Sequence, residues 1–177
     1  ADRYLEKVAA ARAGIEDLAV TTDVIIGFPG ETEADFTATL EVVAEAGFDS
    51  AYTFVYSPRP GTEAAEFGDR FVDHAVAVER MNRLRAVIER SSVQRNEARI
   101  GRVEEVIVEG PSKKNPEVLT GRTRQNKLCH FVPDGRIRPG TYATVEVTGA
   151  GLSHLTGELR EITHVPTHRT RLPVAAN

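Results

Sequence analysis

Apolar residues recur at helical spacing through much of the first hundred positions, and beyond Gly101 the spacing changes to two. Tyr4, Leu5, Val8, Ile15 and Leu18, with Glu6, Lys7 and Arg12 between them, predict an amphipathic helix over 2–18. Thr21–Ile26 is a short run rich in β-branched residues, the composition of a parallel strand covered on both faces. It runs into Gly27, Phe28, Pro29 and Gly30, where the glycines leave the backbone free and the proline stiffens a turn. Thr32 is placed as an N-cap, and Asp35 stands where a capping box has its carboxylate, although Glu or Gln is the usual residue. A helix over 33–46 follows, with Phe36, Leu40 and Val43 on one face and Gly47 as its stop. Ser50–Val55 is then a second strand. Strand, helix and strand fill about 35 residues, the length of one βαβ unit with a right-handed parallel crossover.

Asp73 is the predicted N-cap of a long helix reaching about residue 99, with Gly101 ending it. Ala77, Met81, Leu84, Val87 and Ile88 supply its apolar stripe. Arg80, Arg83, Arg85, Arg90, Arg95 and Arg99 alternate with Glu79, Glu89 and Glu97, which predicts a salt-bridged, solvated face. After Gly101, residues 102–109, 118–124, 127–132, 141–148 and 155–161 read as short strands separated by glycine, proline and asparagine turns. Five strands in about 60 residues predict a small closed barrel of OB-like type, which leaves no open edge. The predicted class is α/β followed by all-β. Its domains are an α/β part over 1–100, a barrel over 101–161 and a patternless, flexible tail over 162–177.

Composition narrows the function. At 177 residues, 41% hydrophobic and 27% charged, the chain can build one ordinary domain or two small ones. No apolar run approaches the roughly 20 residues of a membrane helix, and no signal peptide opens the chain, so a cytoplasmic monomer is expected. The chain begins inside a helical pattern and without Met, which suggests a fragment. Its one cysteine, Cys129, excludes a disulfide framework and a local cysteine metal site, and reads as a buried small hydrophobe. His74, His130, His154, His164 and His168 show no metal-ligand spacing, so no metal ligand is predicted.

Charge separates the two halves. Residues 1–50 hold three basic against eleven acidic side chains, a net −8, whereas 111–140 hold seven basic against two acidic, a net +5. The second segment is the predicted surface for a polyanion. Lys113, Lys114 and Asn115 lie in the first barrel turn; Arg122, Arg124, Gln125, Asn126 and Lys127 span the next hairpin; Arg136 and Arg138 come from a third loop. Only Phe131 and Tyr142 are available as stacking platforms, so backbone and shape recognition of structured RNA is favoured over single-strand stacking.

In the α/β part, ligands bind beyond the carboxyl ends of the strands, which is where the glycine-proline turn stands. The second strand ends on the same rim in Tyr56-Ser57-Pro58-Arg59-Pro60-Gly61-Thr62. Two prolines there frame one cation, Arg59, either a solvated charge or a contact to substrate or phosphate.

Three motifs, Thr22-Asp23-Val24-Ile25-Ile26-Gly27-Phe28-Pro29-Gly30-Glu31-Thr32, the Arg59 loop, and Gly121-Arg122-Thr123-Arg124-Gln125-Asn126, resemble the radical-SAM methylthiotransferases, nearest their tRNA-modifying, MiaB-type branch. The resemblance covers about residues 1–160. It implies the last βα units of a partial (β/α) radical-SAM barrel followed by an RNA-binding TRAM domain. It further implies a cofactor, S-adenosylmethionine, beside Ile25, Gly27, Phe28, Pro29 and Gly30, with Arg59 on the active-site rim facing cofactor or target nucleoside. Lys113, Lys114, Arg122, Arg124, Asn126 and Lys127 would grip a tRNA anticodon stem-loop. Glu31 stays ambiguous, because a carboxylate is favourable at any helix N-terminus. Such enzymes carry two [4Fe–4S] clusters on cysteines, and those ligands are absent from this sequence. The resemblance therefore implies that the cluster-bearing N-terminal part of the enzyme is missing here, and that this polypeptide alone is inactive. The implied reaction places a methylthio group on N6-isopentenyladenosine 37 of tRNA. The alternatives are the threonylcarbamoyladenosine enzyme, the ribosomal-protein aspartate enzyme, whose rim tends to be acidic where this chain has Arg59, and a non-catalytic RNA-binding module.

Overall fold

The computed structural model describes residues 1–135 and 137–167, in two compact units, the first Ala1–Asn96 and the second beginning at Glu97. Arg136 and residues 168–177, which include His168 and most of the expected tail, lie outside the described residues.

In the first unit, helix α1 (Asp2–Gly14), strand β1 (Thr21–Ile26), helix α2 (Glu33–Ala46) and strand β2 (Ser50–Val55) lead to helix α3 (His74–Glu97). α1 stops before residue 18 because Ile15 is already extended and Asp17 takes a positive φ of 52°. The capping box forms as the sequence predicts: Asp35 N–H donates to Thr32 Oγ1 at 3.2 Å and Thr32 N–H donates to Asp35 Oδ2 at 2.9 Å. The Thr32 hydroxyl, which donates to Asp35 Oδ2 at 2.6 Å, and then the Thr32 N–H hold the Asp35 carboxyl below the usual carboxylate range. At the other end of α2, Gly47 is left-handed, and its carbonyl accepts from Arg12 at 2.9 Å and from Arg95 at 3.1 Å.

β1 and β2 pair in parallel, with Ile25 opposite Phe54. One face of this sheet, carrying Val24, Ile26, Ala51 and Val55, packs with Phe36 and Val43 of α2 and Met81, Leu84 and Ile88 of α3. The other face is open, contrary to the expectation of a strand covered on both sides. Ile25, Phe54 and Tyr52 are 58%, 50% and 73% exposed there. A two-stranded parallel sheet packed on helices from one side has nothing to cover its alternate residues.

The solvated arginine face of α3 also needs correction. Arg83 sits at the surface between Glu33 and Glu79, but Arg80 and Arg99 are buried. Position 80 follows Ala77 by three and precedes Leu84 by four, which puts its guanidinium stem on the apolar stripe.

The second unit is a closed barrel of β3 (Val103–Pro111), β4 (Leu119–Thr123), β5 (Leu128–Val132), β6 (Tyr142–Ala150) and β7 (His154–His164), in the order β3-β4-β5-β7-β6. All neighbours are antiparallel except β5 and β7. Alternate residues face inward, so Val106, Val108, Leu119, Cys129, Phe131, Val145, Val147 and Leu155 make the core. Phe131 is therefore core and cannot serve as a stacking platform. Cys129 is buried, and burial pushes its thiol up to about 12. β7 continues through Ile162, Thr163 and His164, which the sequence assigned to the tail, because Tyr142 of β6 pairs with His164. Arg99 ion-pairs with Glu104, both nearly inaccessible, inside this second unit.

Candidate functional site

In the first unit the site is built on the turn after β1. Pro29 at its second position, Gly30 at its third with φ +86°, and Glu31 N–H donating to Phe28 O at 2.9 Å are the features of a type II turn. Glu31 then closes the loop on itself. Its Oε2 accepts from Gly27 N–H at 3.0 Å, and its Oε1 accepts from the buried Arg80 at 2.7 Å. Arg80 also donates to the Glu31 carbonyl at 3.2 Å. Gly30 N–H donates to Arg70 O at 2.8 Å, which ties down the turn's far side.

β2 continues beside it, with Tyr56 N–H donating to Ile26 O at 2.8 Å. The Phe28 ring meets the Tyr56 ring edge-on at 5.2 Å. Thr62 caps the proline loop, its hydroxyl donating to Arg59 O at 2.8 Å. On the open sheet face this leaves a cleft of about 490 Å³ lined by Ile25, Phe54, Tyr56, Ser57, Arg59 and Thr62. The structure thus brings Ile25 and Arg59 to one cleft. Of the remaining predicted residues, Gly27 and Pro29 are buried in the turn, whereas Phe28 and Gly30 are exposed on it. Arg59 is exposed and makes no ion pair with any described residue. An apolar wall beside one cation suits a flat ring carrying a polar or anionic group.

In the second unit a cleft of about 710 Å³ opens on the outer side of the barrel, lined by the 109–115 segment and by Thr120, Arg122, His130, Ser153 and His154. Lys113 and Lys114 are exposed on its rim and pair with no described carboxylate. Arg122 is committed differently: Nε donates to Glu109 Oε1 at 2.6 Å and Nη1 to Asn126 O at 3.1 Å. Asn126 holds the hairpin tip with φ +62°, and Lys127 N–H donates to Thr123 Oγ1 at 3.2 Å. Arg124 is exposed at that tip, away from the cleft lining. Hence Lys113, Lys114 and Arg122 converge, while Arg124, Asn126 and Lys127 form a second basic stretch along the hairpin.

Sequence reasoning missed two groups. The Gly27–Glu31–Arg80 clamp was hidden because Arg80 reads as one more surface charge. His130 and His154 went unnoticed as cleft residues, although strand alternation puts His130 on the outward side with Arg122's neighbour Leu128. As for an iron–sulfur cluster, the donor chemistry does not fit: the single thiol is buried in the barrel and held protonated far above neutral pH.

Residues 97–159 match the TRAM domain family. The tRNA-2-methylthio-N(6)-dimethylallyladenosine synthase of Geobacillus thermodenitrificans is 48% identical over 159 residues, covering 89% of this chain and 30% of its own length. Its namesake from Mycolicibacterium vanbaalenii is 46% identical over 177 residues, covering 97% of this chain and 34% of its own. That of Moorella thermoacetica is 48% identical over 158 residues, with 89% and 35% covered. The chain spans about a third of the length of the curated relatives it matches. With the match to these relatives running over 89–97% of the chain, and so through both units, the chain belongs to the radical-SAM methylthiotransferase family, in its MiaB-type branch.

Proposed function

We propose that the chain is the cofactor-facing and RNA-gripping segment of a tRNA methylthiotransferase that places a methylthio group on N6-isopentenyladenosine 37. The observation that carries this is the 46–48% identity to enzymes named for that product, maintained over nearly the whole chain. The open face of β1 and β2 supports it, because an apolar sheet face with an arginine rim is what an adenine-bearing cofactor needs. S-adenosylmethionine, when bound, supplies the radical chemistry of the transfer. The chain's own part is to seat the adenine against Ile25 and the Gly27–Gly30 turn, and to keep Arg59 at the rim for the cofactor's carboxylate or the target nucleoside. Glu31 and Arg80 keep that turn in place. Without thiolate ligands for either cluster, this polypeptide alone does not catalyse the transfer.

Lys113, Lys114 and Arg122 in the barrel cleft, with Arg124, Asn126 and Lys127 along the hairpin, contact the phosphates of the anticodon stem-loop. The test is binding of the chain to a stem-loop RNA across a salt series. Affinity should fall with salt at a slope of about −0.7 to −0.9 per phosphate contact, and a Lys113→Ala/Lys114→Ala variant should lose about two contacts from the slope. Arg122→Ala/Arg124→Ala should lower it less per residue, because Arg122 already serves Glu109. Binding that ignores both changes, or no binding at low salt, would remove the barrel from tRNA recognition.

A further inference from the structure

The barrel cleft holds two imidazoles that the charge argument does not use. His130, on β5, and His154, at the start of β7, stand with ring centroids 5.1 Å apart and planes tilted by 55°. Both are half-buried in the wall of the cleft that Lys113 and Lys114 also line. Nδ1 of His130 lies 3.1 Å from the Thr120 hydroxyl on β4. Ser153 lines the cleft beside His154.

What surrounds His130 decides its charge. From β4 the neighbouring groups are Thr120 and Arg122, and from β3 comes Glu109, which Arg122 already engages through Nε at 2.6 Å and Nη2 at 3.4 Å. From β7 the next acidic group is Glu158, two places beyond Thr156, the residue opposite His130; it is bound to Arg160 at 3.5 Å. From the 112–115 loop come the cations Lys113 and Lys114. No carboxylate lining the cleft is left over to hold a proton on His130, and burial and the second ring oppose one. In agreement, the His130 pKa lies below its ordinary value, through burial first and through His154 second. The backbone of Leu119 is the one partner that favours the proton on His130, and a phosphodiester entering the cleft reverses the balance by supplying the missing anion.

We propose that His130 and His154 are a phosphodiester contact within the RNA cleft, and that RNA binding there takes up a proton. This rests on the barrel being the RNA grip. The sign follows directly. A pKa that is higher in the complex than in the free protein makes affinity rise as pH falls through the complex's value, and level off below that of the free protein.

The experiment measures affinity of the whole chain for an anticodon stem-loop from about pH 8 to about pH 5.5 at fixed salt, a range in which histidine titrates. Wild type, His154→Asn, His130→Asn, the double variant and Lys113→Ala/Lys114→Ala are compared. Wild type should gain about tenfold in affinity on acidification, one pKa unit of coupling being a factor of ten. The double histidine variant should lose that gain. The lysine variant should bind more weakly throughout yet keep the pH dependence. Imidazole nitrogen shifts in the wild type should show His130 protonating at higher pH with RNA than without. That readout, with His154→Asn, keeps the proposal testable if His130→Asn fails to fold. A flat wild-type profile, or a gain that survives both histidine changes, overturns the proposal. Equal loss at every pH in the histidine variants also overturns it, because the rings then stack on a base as neutral groups. No RNA binding at any pH overturns the RNA grip itself, whereas a flat profile with lysine-dependent binding leaves the grip standing.

Discussion

Arg80 of α3 and Glu31 of the turn after β1, 49 residues apart in the chain, meet at 2.7 Å with side chains only 5% and 13% exposed. Arg80 spans the turn by donating to both the carboxylate and the carbonyl of Glu31, and it lies over the Phe36 ring at 5.5 Å. Breaking such a pair from one side leaves a buried carboxylate beside a tight turn. Arg80→Ala is expected to destabilise the first unit by about 3–5 kcal/mol. Arg80→Lys, which keeps the charge and loses the planar fork, should recover only part. Urea unfolding followed at the helical circular dichroism band reads the first unit, which holds nearly all the helix. A loss below about 1 kcal/mol for Arg80→Ala would mean that the pair behaves as an exposed one.

The barrel has its own tight spot at Gly157 of β7. A Cβ there would stand 2.4 Å from Glu146 O and 2.5 Å from Val145 Cγ1, in the strand that pairs with it. Backbone cannot yield as a side-chain tip can, so Gly157→Ala should cost about 3 kcal/mol, at the upper end for overpacking. Hydrogen exchange of the β6 and β7 amides is the check. By contrast, Gly30→Ala meets the end of the Arg70 side chain at 2.9 Å and pays mainly for its φ of +86°, about 1–2 kcal/mol.

Two groups, the buried Cys129 and the half-buried His130, give the barrel a pH profile with opposite slopes. The Cys129 thiol is raised from 9.0 to about 12 by burial, then by Glu104. Its contribution is fully present below pH 9.0 and is lost as pH rises from there towards 12. His130 is lowered from 6.5 by burial, then by His154. The unfolded chain therefore takes up its proton first, and stability declines as pH falls below 6.5. Melting of the barrel across pH should show both flanks, and His130→Asn should flatten the acid one alone. An acid flank that persists in His130→Asn would assign it to other groups.

The legible parts of this fold are those dictated by local chemistry. β1, α2 and β2 have the bounds that the β-branched runs, the Thr32 cap and the Gly47 stop predict. The barrel strands follow the period-two pattern because every second residue enters one core. Three things were not legible. The open face of β1 and β2 depends on which neighbours a strand has, which its own sequence does not carry. The burial of Arg80 depends on Glu31 arriving from 49 residues away. The His130–His154 pair depends on β5 and β7 lying side by side in parallel, a pairing between strands separated by β6. In the site, Ile25 and Arg59 could be anticipated from their strand ends. The grouping of Lys113 and Lys114 with the histidines could not.

The two units should separate unequally, and the place of the cut matters. A fragment of residues 1–96 exposes Ile25, Tyr52 and Phe54 on a sheet of only two strands, and such a face and edge invite association. It is expected to aggregate at concentrations where the closed barrel stays monomeric. For the barrel, Gly101 looks like the natural start by sequence, yet Arg99 ion-pairs with the buried Glu104. A chain of residues 97–167 keeps that pair, whereas one of residues 101–167 leaves Glu104 in the interior without its partner. The shorter fragment should therefore be less stable by about 3–5 kcal/mol. Glu104→Gln should restore part of that loss in the shorter fragment and cost stability in the longer one. Guanidinium unfolding of the four proteins measures this directly. Equal stability of the 97–167 and 101–167 fragments would show that the Arg99–Glu104 pair contributes nothing to the barrel.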